Sequence, residues 1–333
     1  MALRPVRLEA QFVPRIWGSR SLAPLFPEKE SLHEPIGEVW LTGNDCRFAD
    51  GPFAGERLAD AWPRMGDEWT GKNAAGGKLF PVLVKFLFPD EKLSVQVHPD
   101  DDYAMRNEAA TGGVGKTEMW YVVSAQPGAE VRVGLRPDVN KEAFLRAISD
   151  NTVEDLLERI PVRAGDAIFV PSGTVHTIGP GMVLCEVQQN SDITYRVFDF
   201  HRLGPDGKPR ELHLQKAFDV IHFGKQHGGR VSLTGHQDAS AETSVLIECA
   251  YFAVMKDAFA KPQCIAKPSG TAELIIVLEG SGTLRAQPGD ASIEYSRAQT
   301  WLVPSALRDC TYEPYEATTT LRVLLPGSGR SRT

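Results

Sequence analysis

Short apolar runs, each ended after a few residues by glycine, proline, asparagine or aspartate, constrain the fold of this chain most strongly. The runs are rich in β-branched and aromatic residues, which favour strands over helices. Runs of this kind that follow one another along most of a chain are typical of an antiparallel barrel or sandwich. The sequence therefore predicts a mainly β fold, whose clearest strands cover residues 80–88, 119–123, 129–134, 167–170, 182–188, 272–278 and 300–303.

Helical periodicity is confined to a few short stretches. Asn140 is a candidate N-cap for a helix that continues to Ile148, and residues 152–160 have apolar side chains at helical spacing. We expect these two helices to form a small helical segment, at about 140–160, outside the β-barrel. Residues 214–221 present a further apolar helix face.

Charge and cysteine content exclude several classes of protein. The chain has 36 basic and 43 acidic residues without long runs of one sign, so it offers no extended surface for nucleic acid. No apolar leader opens it, and its apolar runs are far shorter than the roughly 20 residues of a membrane span. Its five cysteines are widely spaced, which argues against a disulfide framework and a thiolate zinc site. We therefore expect a cytoplasmic protein with neither a membrane nor a nucleic-acid partner.

Residues that commonly bind metals are concentrated in three segments of the first half. Side chains at positions i and i+2 of a strand share a face, so Gln96 and His98 point the same way, as do Lys116 and Glu118. The third segment ends at His176. Two histidines and a carboxylate from separate segments can make a metal site with an open coordination position, to which Gln96 can add an amide oxygen.

Five strings stand in order along the chain: LSVQVHPDDDYA at 93–104, KTEMWYVV at 116–123, GDAIFVPSGTVHTIG at 165–179, EVQQNSDITYRVFDF at 186–200 and DGKPRELHLQKAFDVI at 206–221. Several motifs in a fixed order are far more specific than one motif alone. Together they resemble the type I mannose-6-phosphate isomerases of the compact bacterial kind. The resemblance extends over about residues 10 to 225 and implies two cupin-like β-barrel (jelly-roll) domains.

The resemblance implies one Zn²⁺ per chain, with the metal ligands that the family's pattern places on Gln96, His98, Glu118 and His176. Longer members have a tyrosine two residues after the last histidine ligand, and this chain has Ile178 there. The role of that tyrosine is therefore not carried over.

The same resemblance implies an aldose–ketose isomerase that interconverts mannose 6-phosphate and fructose 6-phosphate through an enediolate. Catalytic roles are implied for Arg196, Lys116 and Glu186, and substrate-binding roles for Ser94, Lys116 and Arg196. Three candidates for the general base stay open: Glu186, a metal-bound hydroxide, or a histidine released from the metal. Glu186 is favoured, although a carboxylate that pairs with Arg196 would have a low pKa and be a poor base.

The length of 333 residues favours two domains. We predict a metal-bearing catalytic domain over 1–200, a connector with a helix over 201–244, a second domain over 245–325 and a flexible tail over 326–333. Segments 165–171 and 297–304 are alike, each being a polar turn, an apolar strand and a proline, but a histidine follows only the first. The second domain is therefore expected to be metal-free.

The connector carries several histidines and basic residues whose spacing is irregular. We expect both sets to lie on a solvated face instead of forming a second metal site or a phosphate contact. The histidines are His201, His213, His222 and His227, and the basic residues are Arg202, Lys208 and Arg210.

Two other functions compete with isomerisation. Two histidines and one carboxylate also describe the facial triad of non-haem iron oxygenases, which would contain iron and consume oxygen. A protein that binds a sugar phosphate without turnover is the third possibility. It is favoured because residue 178 is isoleucine, where longer members of the family have tyrosine.

Overall fold

A computed structural model of the chain describes residues 3–71, 79–204, 206–224, 228–232, 234–237, 241–267, 270–287 and 292–326. The described helices are α1 (Leu58–Ala61), α2 (Asp67–Thr70), α3 (Asp101–Asn107), α4 (Lys141–Ser149) and α5 (Leu214–Val220). The strands are β1 (Val6–Leu8), β2 (Gln11–Ser19), β3 (Ile36–Trp40), β4 (Val82–Leu87), β5 (Val95–Val97), β6 (Glu118–Ala125), β7 (Glu130–Leu135), β8 (Leu157–Pro161), β9 (Ala167–Val170), β10 (His176–Ile178), β11 (Met182–Gln189), β12 (Tyr195–Phe198), β13 (Gly229–Arg230), β14 (Thr234–Gln237), β15 (Ala241–Glu248), β16 (Ala253–Phe259), β17 (Gln263–Ala266), β18 (Glu273–Glu279), β19 (Ser281–Ala286), β20 (Ser292–Ser296), β21 (Thr300–Val303), β22 (Asp309–Pro314) and β23 (Thr318–Leu324).

These strands form four sheets. A five-stranded sheet has the order β12-β5-β10-β7-β8, and a seven-stranded sheet has the order β13-β9-β6-β11-β4-β3-β2. A second seven-stranded sheet has the order β1-β21-β18-β23-β16-β15-β14, and a four-stranded sheet has the order β17-β22-β19-β20. Among the described strands no sheet closes into a barrel, so the mainly β prediction is confirmed and the sheets themselves are open.

Apolar side chains pack the sheets in layers, because alternate residues of each strand face opposite sides. Trp120 of β6 and Val133 of β7 belong to one cluster, which joins the five-stranded sheet to the first seven-stranded sheet. Phe86 and Leu321 belong to another cluster, between the two seven-stranded sheets. Helices α4 and α5 cover the outer face of the five-stranded sheet, where Phe144 is fully buried.

Most local predictions are confirmed, and one is wrong. Asn140 caps α4, since its Oδ1 accepts a hydrogen bond of 2.9 Å from the backbone N–H of Ala143. The helix expected over 152–160 is instead a single 3₁₀ turn followed by β8, which pairs with β7. The unpaired edge of β7 provides backbone partners for this segment, and that pairing outweighs a short helical periodicity.

The N-terminal strand belongs to a sheet formed mostly by the C-terminal half of the chain. Strand β1 pairs with β21, so residues near the N-terminus join a sheet made from the C-terminal half. Residues 327–333 of the expected tail lie outside the described residues, as does His227. Over the described ranges, no helix combines the length and apolar character needed to cross a membrane.

Candidate metal centre and its cavity

The candidate ligands meet where two paired strands of the five-stranded sheet, β5 and β10, face the start of β6. Gln96 is the central residue of β5 and pairs with His176, the first residue of β10. His98 follows β5 directly, and Glu118 is the first residue of β6. Strand pairing and strand alternation therefore bring residues 20 to 80 positions apart in sequence onto one interior surface.

The two histidines and the carboxylate are close enough to bind one ion. His98 Nε2 lies 3.4 Å from Glu118 Oε1, and His176 Nε2 lies 3.7 Å from Glu118 Oε2. The ligand atoms of all three residues lie within 4.8 Å of one another, and all three side chains are buried. The carboxamide of Gln96 lies 3.2 Å from His176 Nε2 and can present its oxygen to the same point by rotation.

Backbone carbonyls orient both imidazoles for metal binding. Nδ1 of His98 lies 2.7 Å from the carbonyl oxygen of Ile193, and Nδ1 of His176 lies 2.9 Å from that of Thr174. A ring that donates its Nδ1–H to a carbonyl leaves the lone pair of Nε2 free for a metal. In both rings, Nε2 is the atom that faces Glu118.

Electrostatics keep the two imidazoles neutral, as metal binding requires. Burial and the nearby Lys116 hold the pKa of His98 well below its usual 6.5. Burial likewise lowers the pKa of His176 to about 4. Neither ring carries a proton on both nitrogens at neutral pH.

Glu118 gives the clearest sign that the cluster suits a cation. Both of its carboxylate oxygens are buried, and neither accepts a hydrogen bond from the described part of the chain. The ammonium of Lys116 forms an ion pair with Oε1 of Glu118 and lies 3.1 Å from Nε2 of His98. The site therefore accommodates positive charge, and its nitrogen and oxygen donors fit a divalent transition metal.

A cavity of about 400 Å³ opens beside this cluster. Gln96 and Lys116 border both the cluster and the cavity, and Ser94 also lines the cavity. Its charged lining consists of five cations and three carboxylates: Arg15, Lys85, Lys116, Arg196 and Arg210 with Glu38, Glu186 and Asp192. A somewhat larger cavity of about 480 Å³ elsewhere has none of the candidate ligands in its lining.

Lys85 and two carboxylates form a buried charge cluster on the cavity wall. Nζ of Lys85 lies 3.9 Å from Glu38 and 3.7 Å from Glu186. Each carboxylate also accepts an indole N–H, from Trp40 at 2.7 Å and from Trp120 at 2.9 Å respectively. Burial opposes the charge of Lys85, but the neighbouring carboxylates outweigh it and raise its pKa, so this lysine stays protonated.

Glu186 has different partners from those considered in the sequence. It contacts Lys85 and Trp120 instead of Arg196, and burial together with the charge of Glu118 raises its pKa to about 7. Glu186 therefore does not form the ion pair with Arg196 that would have lowered its pKa. Arg196 lies on β12, lines the cavity and donates from Nη1 to the carbonyl of Glu211 at 2.9 Å.

Sequence reasoning missed Lys85 and Glu38, and it misplaced Arg210 and His213. Lys85 is the one charged residue of β4, which is buried along its whole length. A lysine inside an apolar strand could have indicated a buried charged site from the sequence. Arg210 lines the cavity instead of a surface turn, because Asp199 binds its guanidinium. His213 is hydrogen-bonded to the backbone of Arg196, and its side chain is only partly exposed.

Ile178 replaces the expected tyrosine for a reason visible in the packing. Its side chain is 1% exposed and belongs to the apolar cluster between the five-stranded sheet and the first seven-stranded sheet. The backbone of Ile178 pairs with Val131 of β7. In this chain the position serves packing.

Comparisons with known proteins identify the family of this chain. Residues 6–119 match the family described as phosphomannose isomerase type I, catalytic domain. The mannose-6-phosphate isomerase ManA of Bacillus subtilis is 35% identical over 319 residues, which cover 95% of this chain and 98% of that protein. The mannose-6-phosphate isomerase of Streptococcus mutans is 36% identical over 256 residues, or 76% of this chain and 78% of that one.

A crystal structure of the mannose 6-phosphate isomerase from Bacillus subtilis has the same fold. It superposes with a TM-score of 0.86 at 30% identity, covering 96% of this chain and 99% of that one. The structure of a putative mannosephosphate isomerase from Archaeoglobus fulgidus is similar in fold alone, with a TM-score of 0.76 at 19% identity over 98% of this chain and 99% of that one.

Proposed function

This chain belongs to the type I phosphomannose isomerase family, and from that premise we propose that it interconverts mannose 6-phosphate and fructose 6-phosphate. The observation that carries the proposal is the buried cluster of His98, Glu118 and His176 beside a cavity lined mainly by cations. A metal-binding cluster suits the chemistry at the sugar carbons, and a cationic cavity suits the phosphate.

The charge of the cavity supports a sugar phosphate as substrate. Five cations against three carboxylates leave a positive excess of two, which complements a phosphate dianion. Arg196 and Arg210 can each present two parallel N–H donors to phosphate or carboxylate-like oxygens. We assign substrate binding to Ser94, Lys116 and Arg196, and Arg210 is an additional candidate.

We assign the metal to Gln96, His98, Glu118 and His176, and we propose one Zn²⁺ per chain. Three nitrogen or oxygen side chains with a neutral amide beside them leave room for a substrate oxygen. When bound, the metal supplies Lewis-acid polarisation of the sugar's carbonyl and neighbouring hydroxyl oxygens.

Glu186 is our candidate for the general base. In the forward direction its carboxylate takes the proton from C2 of the aldose and returns it to C1 of the enediolate, while the hydroxyl proton of O2 passes to O1, which gives the ketose. A pKa near the working pH suits a group that must both accept and donate a proton, and burial raises the pKa of Glu186 to about 7. The indole N–H of Trp120 fixes the orientation of this carboxylate.

Cations that line the same cavity as Glu186 can stabilise the negative charge that develops on the enediolate. Lys116 and Arg196 are assigned this role, and buried Lys85 adds a third positive charge 3.7 Å from Glu186. Their charges are fixed in place before the reaction, so little reorganisation accompanies the proton transfer.

The finer organisation of the chain also stays a proposal. We propose that residues 1–200 form the catalytic cupin-like jelly-roll domain, whose strands β2 to β12 build the two sheets around the metal centre, while β1 pairs with β21. Residues 245–325 would form the metal-free cupin-like domain from most of the second seven-stranded sheet and the four-stranded sheet, joined through 201–244. The cytoplasmic location likewise stays a prediction.

Neither alternative function is favoured. A facial-triad oxygenase has no need of the amide of Gln96 beside its ligands or of a cavity rich in lysine and arginine. The family and its curated relatives are isomerases, which favours turnover over passive binding.

The direct test is a coupled assay of fructose 6-phosphate formation from mannose 6-phosphate. We expect activity in the purified protein, loss of activity after dialysis against a chelator, and recovery on adding one equivalent of Zn²⁺. Turnover that persists in metal-free protein would contradict the metal assignment, and absence of turnover in fully loaded protein would contradict the isomerase assignment.

A further inference from the structure

We propose that His213 is a positioning residue that holds Arg196 at the cavity. The inference rests on the catalytic role assigned to Arg196 in the proposed function. It concerns a residue that does not line the substrate cavity and that contacts the backbone of Arg196.

Arg196 lies on a strand with one free edge. β12 is the terminal strand of the five-stranded sheet, and Arg196 pairs with Gln96 on its inner side. The register shifts between Arg196 and Phe198, so the pairing with β5 becomes irregular immediately after the arginine. The position of this arginine therefore depends on what lies at the outer edge of β12.

His213 provides that outer partner with two hydrogen bonds. Its backbone N–H donates to the carbonyl oxygen of Arg196 at 2.8 Å. Its imidazole Nδ1 accepts the backbone N–H of Arg196 at 3.2 Å. One histidine thus satisfies both backbone groups of Arg196, as a residue of a neighbouring strand would.

The same segment also binds the side chain of Arg196. Nη1 donates to the carbonyl oxygen of Glu211 at 2.9 Å, two residues before His213. Nε of Arg196 is buried and has no hydrogen-bond partner within the described ranges. Segment 211–213 therefore fixes both ends of the arginine and leaves a guanidinium N–H for a ligand.

His213 is itself held in place by helix α5 and its surroundings. It immediately precedes α5, and its carbonyl accepts the N–H of Ala217 at 2.9 Å. Its ring lies 6.3 Å from the ring of Tyr195, measured between centroids. Glu108 accepts hydrogen bonds from Tyr195 at 2.8 Å and from Lys216 of α5 at 2.7 Å.

The chemistry of these bonds explains why a histidine suits the position. The backbone N–H of His213 donates to the carbonyl of Arg196, so the side chain must supply the acceptor for the backbone N–H of Arg196. Nδ1 can accept that hydrogen bond only while it is unprotonated. Arg196 and Lys216 oppose protonation, Glu211 and Glu108 favour it, and burial combines with Arg196 to lower the pKa of His213. Asparagine can replace this acceptor through its side-chain oxygen, and leucine cannot.

A double-mutant cycle separates positioning from general stability. His213→Leu should lower kcat by roughly 10- to 100-fold, the scale expected for a catalytic group displaced by about 1 Å. In an Arg196→Ala background, His213→Leu should lower kcat no further, because the group that it positions is already absent. His213→Asn should restore most of the lost activity, and His33→Leu on the exposed surface is the matched control.

The outcomes are distinguishable. Equal losses from His213→Leu in both backgrounds would overturn the positioning role, since a structural effect would persist without Arg196. Failure of His213→Asn to restore activity in a folded protein would also overturn it. An unchanged kcat in Arg196→Ala alone would show that the catalytic assignment of Arg196 had failed first. If His213→Leu does not fold, His213→Ala removes the same acceptor without added bulk, and the cycle is read from that variant.

Discussion

Replacing Lys85 by methionine should destabilise the metal-free protein strongly, because it removes the buried cation beside Glu186 and one of the two cations beside Glu38, the other being Arg15. Lys85 is 2% exposed and lies within 4 Å of Glu38 and Glu186. At an effective dielectric constant of about 20, each of these pairs contributes a gross attraction of about 4 kcal/mol. Desolvation offsets much of that attraction. Removing one partner of a buried pair typically costs about 3–5 kcal/mol, which is the loss in unfolding free energy that we expect.

Urea unfolding in the presence of a chelator measures this effect without a contribution from the metal. Lys92→Met is the matched control, since Lys92 is 45% exposed and pairs with Glu154, and its loss should cost at most about 1 kcal/mol. The double variant Lys85→Met/Glu186→Gln should recover about 1–3 kcal/mol, because it removes one uncompensated charge. A loss in Lys85→Met no larger than that of the control, or a double variant less stable than Lys85→Met alone, would refute the reasoning.

Three further predictions concern metal binding, catalysis and pH. Glu118→Gln should reduce bound zinc more than Gln96→Ala, because an anionic ligand contributes more to a dication than a neutral amide does; metal analysis of the purified variants tests the order. Arg196→Ala should lower kcat by about 100-fold or more through loss of a charged hydrogen bond to the enediolate, whereas a higher KM at unchanged kcat would point to phosphate binding alone. Burial raises the pKa of Glu273 to about 7, above the ~4.3 of an unfolded glutamate, so its protonated form stabilises the fold. That stabilisation is present below about pH 4 and is lost as pH rises to 7, so Glu273→Gln should reduce the fall in unfolding free energy over this pH range by up to about 3 kcal/mol, as measured by urea unfolding; a pH dependence identical to that of the parent protein would contradict this.

The candidate ligands could be predicted because strand alternation is a local property. Gln96 and His98, two residues apart, share a face wherever the strand lies. Their meeting with Glu118 and His176 follows from sheet pairing, which the family resemblance implied and the structure describes.

Lys85 and His213 escaped prediction because their roles depend on contacts between distant segments. The charge of Lys85 is matched by Glu38, Glu186 and Asp192, and no spacing rule links β4 to those residues. The contact of His213 with the free edge of β12 is equally invisible in a polar, glycine-rich stretch. The helix prediction for residues 152–160 was wrong for the opposite reason. The local helical pattern was present, but pairing of this segment with the edge of β7 outweighed it.

Anomalous X-ray diffraction at the zinc edge, from crystals of protein shown to carry one zinc per chain, tests the central claim most directly. We predict one strong peak, about 2.0–2.2 Å from Nε2 of His98, a carboxylate oxygen of Glu118 and Nε2 of His176. A peak away from these three residues, or a site that retains its zinc after His98→Ala and His176→Ala, would contradict the account.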